Sequence, residues 1–84
     1  MVHDLRLYPN PGPGLFHLSM ELDLVDHVSI DVFDVSGKLI MSRIYENVSN
    51  TLDARIDLSD YESGIYQIHV RTNNSLIHRI LIKE

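Results

Sequence analysis

Five histidines, twelve carboxylates and no cysteine are the groups from which this chain of 84 residues could build chemistry. His3 lies near the beginning, His17 on a strand-like run and His27 in a loop, while His69 and His78 belong to two strands of one hairpin. The register preferred below turns those two to opposite faces. No pair has a metal-ligand spacing with a supporting carboxylate, so these are read as ordinary surface or edge histidines. Asp23, Asp26, Asp31 and Asp34 offer oxygen to a hard cation but lack the Asp-x-Asp-x-Asp-Gly loop pattern, which leaves a solvated acidic face. Ser36-Gly37 and Ser63-Gly64 do not fit a Gly-x-Ser-x-Gly elbow, and no Ser-His-Asp order is suggested. Without cysteine there is no disulfide framework, thiolate zinc site or thiol nucleophile. The expectation is a chain that is not an enzyme and holds no cofactor or metal.

The elements around these groups form one domain over residues 1–84, enough for a single modest core and too small for a deep cleft between subdomains. With 44% apolar and 23% charged residues the chain is globular rather than disordered. A net charge of −5 argues against nucleic acid, whose phosphates need a positive surface. That charge is uneven. Residues 1–63 carry Arg6, Lys38, Arg43 and Arg55 against eleven acids, a net −7, whereas residues 64–84 carry Arg71, Arg79 and Lys83 against Glu84 alone, a net +2. No apolar run reaches the roughly 20 residues of a membrane span, and no charged-then-apolar leader opens the chain. Any export signal of that kind is expected on a part of the protein beyond this sequence.

Leu5 to Tyr8 alternates and stops at Pro9-Asn10-Pro11-Gly12-Pro13-Gly14, which can continue neither a helix nor a central strand. Leu15 to Glu21 resumes with Phe16, Leu18 and Met20 on one side, and Glu21 to His27 reads as strand end and loop. Val28 to Asp34 alternates most cleanly, with Val28, Ile30 and Val32 inward and Phe33 on the outer face, where some element must cover it. Gly37 can supply positive φ in a turn over residues 35–38, making Leu39 to Tyr45 the antiparallel return strand. Glu46 to Asn50 reads as a polar loop. Leu52, Ala54, Ile56 and Leu58 share one face, and residues 59–63 suit one helical turn capped by Ser59. Seven short strands imply an all-β, immunoglobulin-like β-sandwich without the Cys and Trp marks of true immunoglobulin domains.

The last strands, Gly64 to Thr72 and Leu76 to Glu84, flank Asn73-Asn74-Ser75 as a terminal β-hairpin. A two-residue turn sets Arg79 opposite Ile68 on the face that carries Tyr66 and Val70. A three-residue turn sets Ile80 opposite Ile68 and Ile82 opposite Tyr66 instead. Burying charge costs more than bulging a turn, so the second register is preferred, with Arg71, Arg79, Lys83 and His69 together outside and His78 inward beside Val70.

Several of these pieces occur together in one family. Tyr8-Pro9-Asn10-Pro11, Gly14-Leu15-Phe16-His17-Leu18, Val28 to Asp34 with Gly37-Lys38, Leu58 with Gly64-Ile65-Tyr66, and the final Arg79-Ile80-Leu81-Ile82-Lys83 resemble, in order and spacing, the type A C-terminal sorting domain of the type IX (Por) secretion system. The resemblance covers the chain from about residue 5 to its end. It implies an immunoglobulin-like sandwich fused behind a larger cargo protein of Bacteroidota that carries an N-terminal Sec signal. It further implies recognition by an outer-membrane translocon and its shuttle protein, and removal by a cysteine-protease-like sortase that attaches the cargo to surface lipopolysaccharide. The destination is the cell surface or the medium. Arg79 stands where relatives often carry lysine, which keeps the charge and changes the hydrogen-bonding geometry.

The expected recognition signal is Pro9, Asn10, Pro11, Gly37, Gly64, Tyr66, Arg71, Arg79 and Lys83. Pro9-Asn10-Pro11 is expected to set the direction in which cargo enters. The hairpin is expected to be read through its outer face and its edge, by charge complementarity and strand addition. The competing reading is an immunoglobulin-like accessory module for carbohydrate or protein. It calls for an aromatic platform, and Phe33, Tyr45 and Tyr61 are scattered in a chain without Trp.

Overall fold

A computed structural model describes residues 2–23 and 26–84, all strand, turn or loop. The strands are β1 (Val2–Tyr8), β2 (Leu15–Leu22), β3 (Asp26–Phe33), β4 (Leu39–Val48), β5 (Thr51–Asp57), β6 (Gly64–Arg71) and β7 (Leu76–Lys83). They form a three-stranded sheet of order β1-β2-β5 and a four-stranded sheet of order β4-β3-β6-β7, every pairing antiparallel. Alternation decides the layers. Phe16, Leu18 and Met20 of β2 with Leu52, Ala54 and Ile56 of β5 are buried, as are Val28, Ile30, Val32, Ile68 and Val70 of the larger sheet. Each such side chain except the small Ala54 contributes about 1.5–3 kcal/mol of burial free energy.

The two sheets share a polarity. The connections 9–14, 34–38 and 58–63 and the end of β7 gather at one pole, where Leu58 N–H donates to the Gly14 carbonyl at 2.8 Å and Gly12 bridges to Lys83. Val2, the β4–β5 turn and the β6–β7 turn lie at the other, where Leu22 N–H donates to the Asn50 carbonyl at 2.7 Å. The long dimension of the domain is 36 Å.

Four expectations change. β4 runs on through Glu46 to Val48 and leaves only a tight turn at Ser49-Asn50, with Asn47 and Asn50 at φ of 56° and 67°; asparagine tolerates that conformation, so the polar run need not be a loop. Asp26 and His27 begin β3 rather than extending a loop, and Leu24 and Val25 lie outside the described residues. Residues 59–63 form turns and no helix: Asp57 rather than Ser59 supplies the capping oxygen, accepting from Ser59 N–H at 2.9 Å and from Ser59 Oγ at 2.5 Å. Aspartate competing for nearby backbone donors diverts the chain from helix.

The fourth is the register of the terminal hairpin, which is the two-residue alternative. Ile68 faces Arg79, Tyr66 faces Leu81 and Val70 faces Ile77. Thr72 N–H donates to the Ser75 carbonyl at 2.9 Å, and the buried Thr72 hydroxyl accepts from Asn74 and Ser75 N–H at 3.3 and 3.1 Å. The premise that a charge at position 79 must be buried fails because β7 is an edge strand. Arg79 stays exposed and its guanidinium donates to the His78 carbonyl at 2.9 Å. A one-residue slip exchanges faces, so Leu81 is fully buried while Ile80 and Ile82 are exposed.

Candidate recognition surface

The connector Pro9 to Gly14 is bent by cis peptide bonds at Tyr8-Pro9 and Asn10-Pro11 and lies along the free edge of β7. Asn10 Nδ2 donates to the Ile80 carbonyl at 2.7 Å, and Asn10 Oδ1 accepts from Ile82 N–H at 2.9 Å. Gly12 N–H donates to the Ile82 carbonyl at 3.0 Å, and the Gly12 carbonyl accepts from Glu84 N–H at 2.8 Å. Gly12 is required here because a Cβ would sit 2.5 Å from the Pro9 carbonyl oxygen. From the Ile80 carbonyl to Glu84 N–H, the outward backbone groups of β7 are thus met by Asn10 and Gly12 without a neighbouring strand, and Arg79 covers the His78 carbonyl. Asn10 and Gly12 therefore clamp the connector to β7. The connector lies at the end of β1 away from Val2.

Gly37, Gly64, Tyr66 and Lys83 shape the same pole. Gly37 takes φ of 89° in a turn held by Asp34, whose Oδ1 accepts from Ser36 N–H, Ser36 Oγ and Lys38 N–H at 2.9, 2.6 and 3.0 Å. These bonds, the Ser36 hydroxyl first, hold the Asp34 carboxyl below the usual carboxylate range, and Ser59 does the same for Asp57. Tyr66 is buried, and its hydroxyl donates to the Glu62 carbonyl at 2.5 Å. Burial first, then the nearby Glu62 charge, push its pKa above the ordinary 10.0. Lys83 Nζ donates to the Ser59 carbonyl at 3.2 Å and to the Tyr61 carbonyl. Gly64, at φ of 149°, faces Lys83 across the hairpin.

The expected basic outer face therefore does not assemble. Arg71 stands on it, Arg79 and Lys83 belong to the other side of β7, and Lys83 is occupied by carbonyls of its own domain. His69 and His78 do not lie on opposite faces. They pair across the hairpin with rings stacked at 4.1 Å, and Phe33 is covered by His69 at 4.7 Å. Among the described residues no group of three or more His, Asp or Glu could hold a metal ion.

What sequence reasoning missed is the outer row itself. Leu76, Ile80 and Ile82 of β7 with Ile65 of β6 are 54, 56, 41 and 51% exposed. The outer positions of β6 and β7 carry no carboxylate, whereas the outer row of β5 is Thr51, Asp53, Arg55 and Asp57. A correct register would have revealed it, because the exposed isoleucines alternate with the buried Leu81. Ile65, Ile80 and Ile82 form an apolar patch, with Leu76 beyond the stacked His69–His78 pair, and an exposed apolar patch on a solvated sheet face marks a contact surface.

Residues 6–84 match the family described as a secretion system C-terminal sorting domain. The chain is also 28% identical over 83 residues to an endo-acting ulvan lyase of Formosa agariphila, an alignment covering 98% of this chain and 15% of the lyase. The shared sequence is thus a small part of that relative's length.

Proposed function

Since the chain belongs to the type IX secretion C-terminal sorting family, we propose that it directs a protein fused to its N-terminal side across the outer membrane, and that the outer face of the β6–β7 hairpin is what the export machinery reads. The family establishes a sorting signal for export, a module that is not itself catalytic. The lyase relative supports a secreted cargo preceding such a domain. The finer reading is ours: the translocon and its shuttle protein dock on the hairpin face, a sortase cuts on the N-terminal side of β1, and the cargo finishes at the cell surface or in the medium.

The observation that carries the reading is the Leu76, Ile80, Ile82 and Ile65 strip, exposed and free of carboxylates in a domain of net charge −5. Its neighbour Arg71 favours a reader with acidic groups around an apolar centre. Strand addition to the second half of β7 is disfavoured, because Asn10 and Gly12 already occupy that edge. Of the nine signal residues, Arg71 is the one on the outer hairpin face and is proposed to meet the reader, while Arg79 is exposed at the edge on the other side of β7. Pro9, Asn10, Pro11, Gly37, Gly64, Tyr66 and Lys83 hold the surface in shape.

The test is transfer of the signal. A periplasmic reporter with residues 1–84 fused at its C-terminus is expected outside the cells of a type IX host and inside those of a strain lacking the translocon. Retention of the fusion in the periplasm of the competent host would overturn the reading.

A further inference from the structure

The pole opposite Val2 contains more fixed structure than three connections need. The Asp34–Lys38 turn is tied by the Asp34 carboxylate, by Asp34 N–H to the Lys38 carbonyl at 2.9 Å, and by Gly37 N–H to the Asp34 carbonyl at 3.0 Å. The 58–63 turn is tied by Asp57, by Tyr61 N–H to the Leu58 carbonyl at 3.0 Å, by Lys83 and by the Tyr66 hydroxyl. Tyr61 Oη donates across to the Ile40 carbonyl at 3.3 Å and joins the two.

Between these turns lies a cleft of about 380 Å³, lined by Ile40, Tyr61, Ile65 and Tyr66. Lys38 lines it from one turn and Glu62 from the other. Among the described residues neither Lys38 Nζ nor the Glu62 carboxylate has an ion-pair or hydrogen-bond partner. Asp34 also lines the cleft, within electrostatic reach of Lys38, but its carboxylate is taken up by Ser36 and Lys38 N–H of its own turn. Among the described residues Lys38 and Glu62 thus stand without ion-pair partners beside Ile40 and Ile65 on two braced turns, a preorganised site. Ile65 belongs both to the cleft and to the exposed strip.

We propose that this cleft seats a short segment of the protein that reads the domain, with an aliphatic side chain against Ile40 and Tyr66, an acid meeting Lys38 and a base meeting Glu62. This deepens the sorting reading and rests on it. The size suits one side chain and its flanking backbone rather than a whole element, and the two charges fix which way the segment runs.

Charge reversal separates this site from the strip. In the reporter fusion, Lys38→Glu and Glu62→Lys each lower export by about fivefold or more at unchanged thermal stability. The double variant Lys38→Glu/Glu62→Lys does not recover, because the segment's direction is fixed. Recovery would show that the two residues matter only to each other and would overturn the proposal. Wild-type export of both single variants, with Leu76→Glu/Ile80→Glu not exported, would overturn the cleft and leave the sorting reading intact. Failure of the unaltered fusion to leave the cell would defeat the sorting reading itself. Sedimentation of the isolated domain across a hundredfold concentration range is expected to show a monomer. A dimer lost in Lys38→Glu would assign the cleft to a second copy of this chain and overturn the proposed partner.

Discussion

Asn10 accepts the backbone N–H of Ile82 at 2.9 Å, so a side chain from the first connection occupies the place of a neighbouring strand on the last one. Its amide completes the mimicry by donating to the Ile80 carbonyl at 2.7 Å. Positions 72 residues apart are thereby joined at the pole where the 9–14, 34–38 and 58–63 connections meet. The bond explains how a hairpin carrying exposed isoleucines avoids being extended by another chain.

Asn10→Ala removes both bonds and is expected to cost about 1–2 kcal/mol, while Asn10→Asp keeps the acceptor for Ile82 and costs about half of that. Urea unfolding gives the stabilities, and amide exchange at Ile82 is expected to accelerate in the alanine variant alone. Equal stability of all three proteins would show that the clamp adds nothing.

Gly12 and Gly37 separate crowding from backbone conformation. A Cβ at position 12 meets the Pro9 carbonyl at 2.5 Å and Phe16 Cε1 at 3.1 Å, whereas one at position 37 meets nothing within 4 Å. Gly12→Ala is expected to cost about 1–3 kcal/mol by overpacking. Gly37→Ala, strained only by its φ of 89°, should cost about 1 kcal/mol. A reversed order of denaturation midpoints would contradict the packing of the connector.

Stability should decline at both ends of the pH range for different reasons. Asp34 and Asp57 have depressed folded-state pKa values, so their contribution is present above the unfolded value near 3.8 and lost as the pH falls through the folded values. The Tyr66 pKa is raised, so its contribution is complete below the unfolded value of 10.0 and lost as the pH rises above it. Chemical denaturation across pH is expected to show a shallower acid limb in Asp34→Asn/Asp57→Asn and a shallower alkaline limb in Tyr66→Phe. An unchanged limb in either variant would remove the named group from the account.

Much of this architecture is legible in the sequence because one-sided burial writes a period of two into β2, β3 and β5. Phe16, Leu18, Val28, Ile30, Val32 and Ile56 are inward as the alternation requires. β7 is where the rule misleads. In Leu76-Ile77-His78-Arg79-Ile80-Leu81-Ile82 both faces are largely apolar, so the pattern does not fix the register, and a charge-burial argument fails on an edge strand. The deciding signal was the Thr72 hydroxyl, which satisfies two turn N–H groups and closes the shorter loop. The roles of Asn10 and Lys83 rest on contacts between distant segments, which no local pattern encodes. Sequence placed both among the signal residues, and the structure gives each an internal partner.

The claim that the outer hairpin face is the surface read during export is tested most directly by separating surface from core on β7. Leu81→Ala, at a fully buried position, is expected to lose about 2–5 kcal/mol. Leu76→Glu/Ile80→Glu, at exposed positions, should cost about 1 kcal/mol or less per site. The decisive measurement is the exported fraction of the reporter fusion carrying Leu76→Glu/Ile80→Glu, with Arg55→Glu on the opposite sheet as control. The account predicts a folded fusion that stays in the periplasm while the Arg55→Glu control is exported; export of the hairpin variant at the control's level would contradict it.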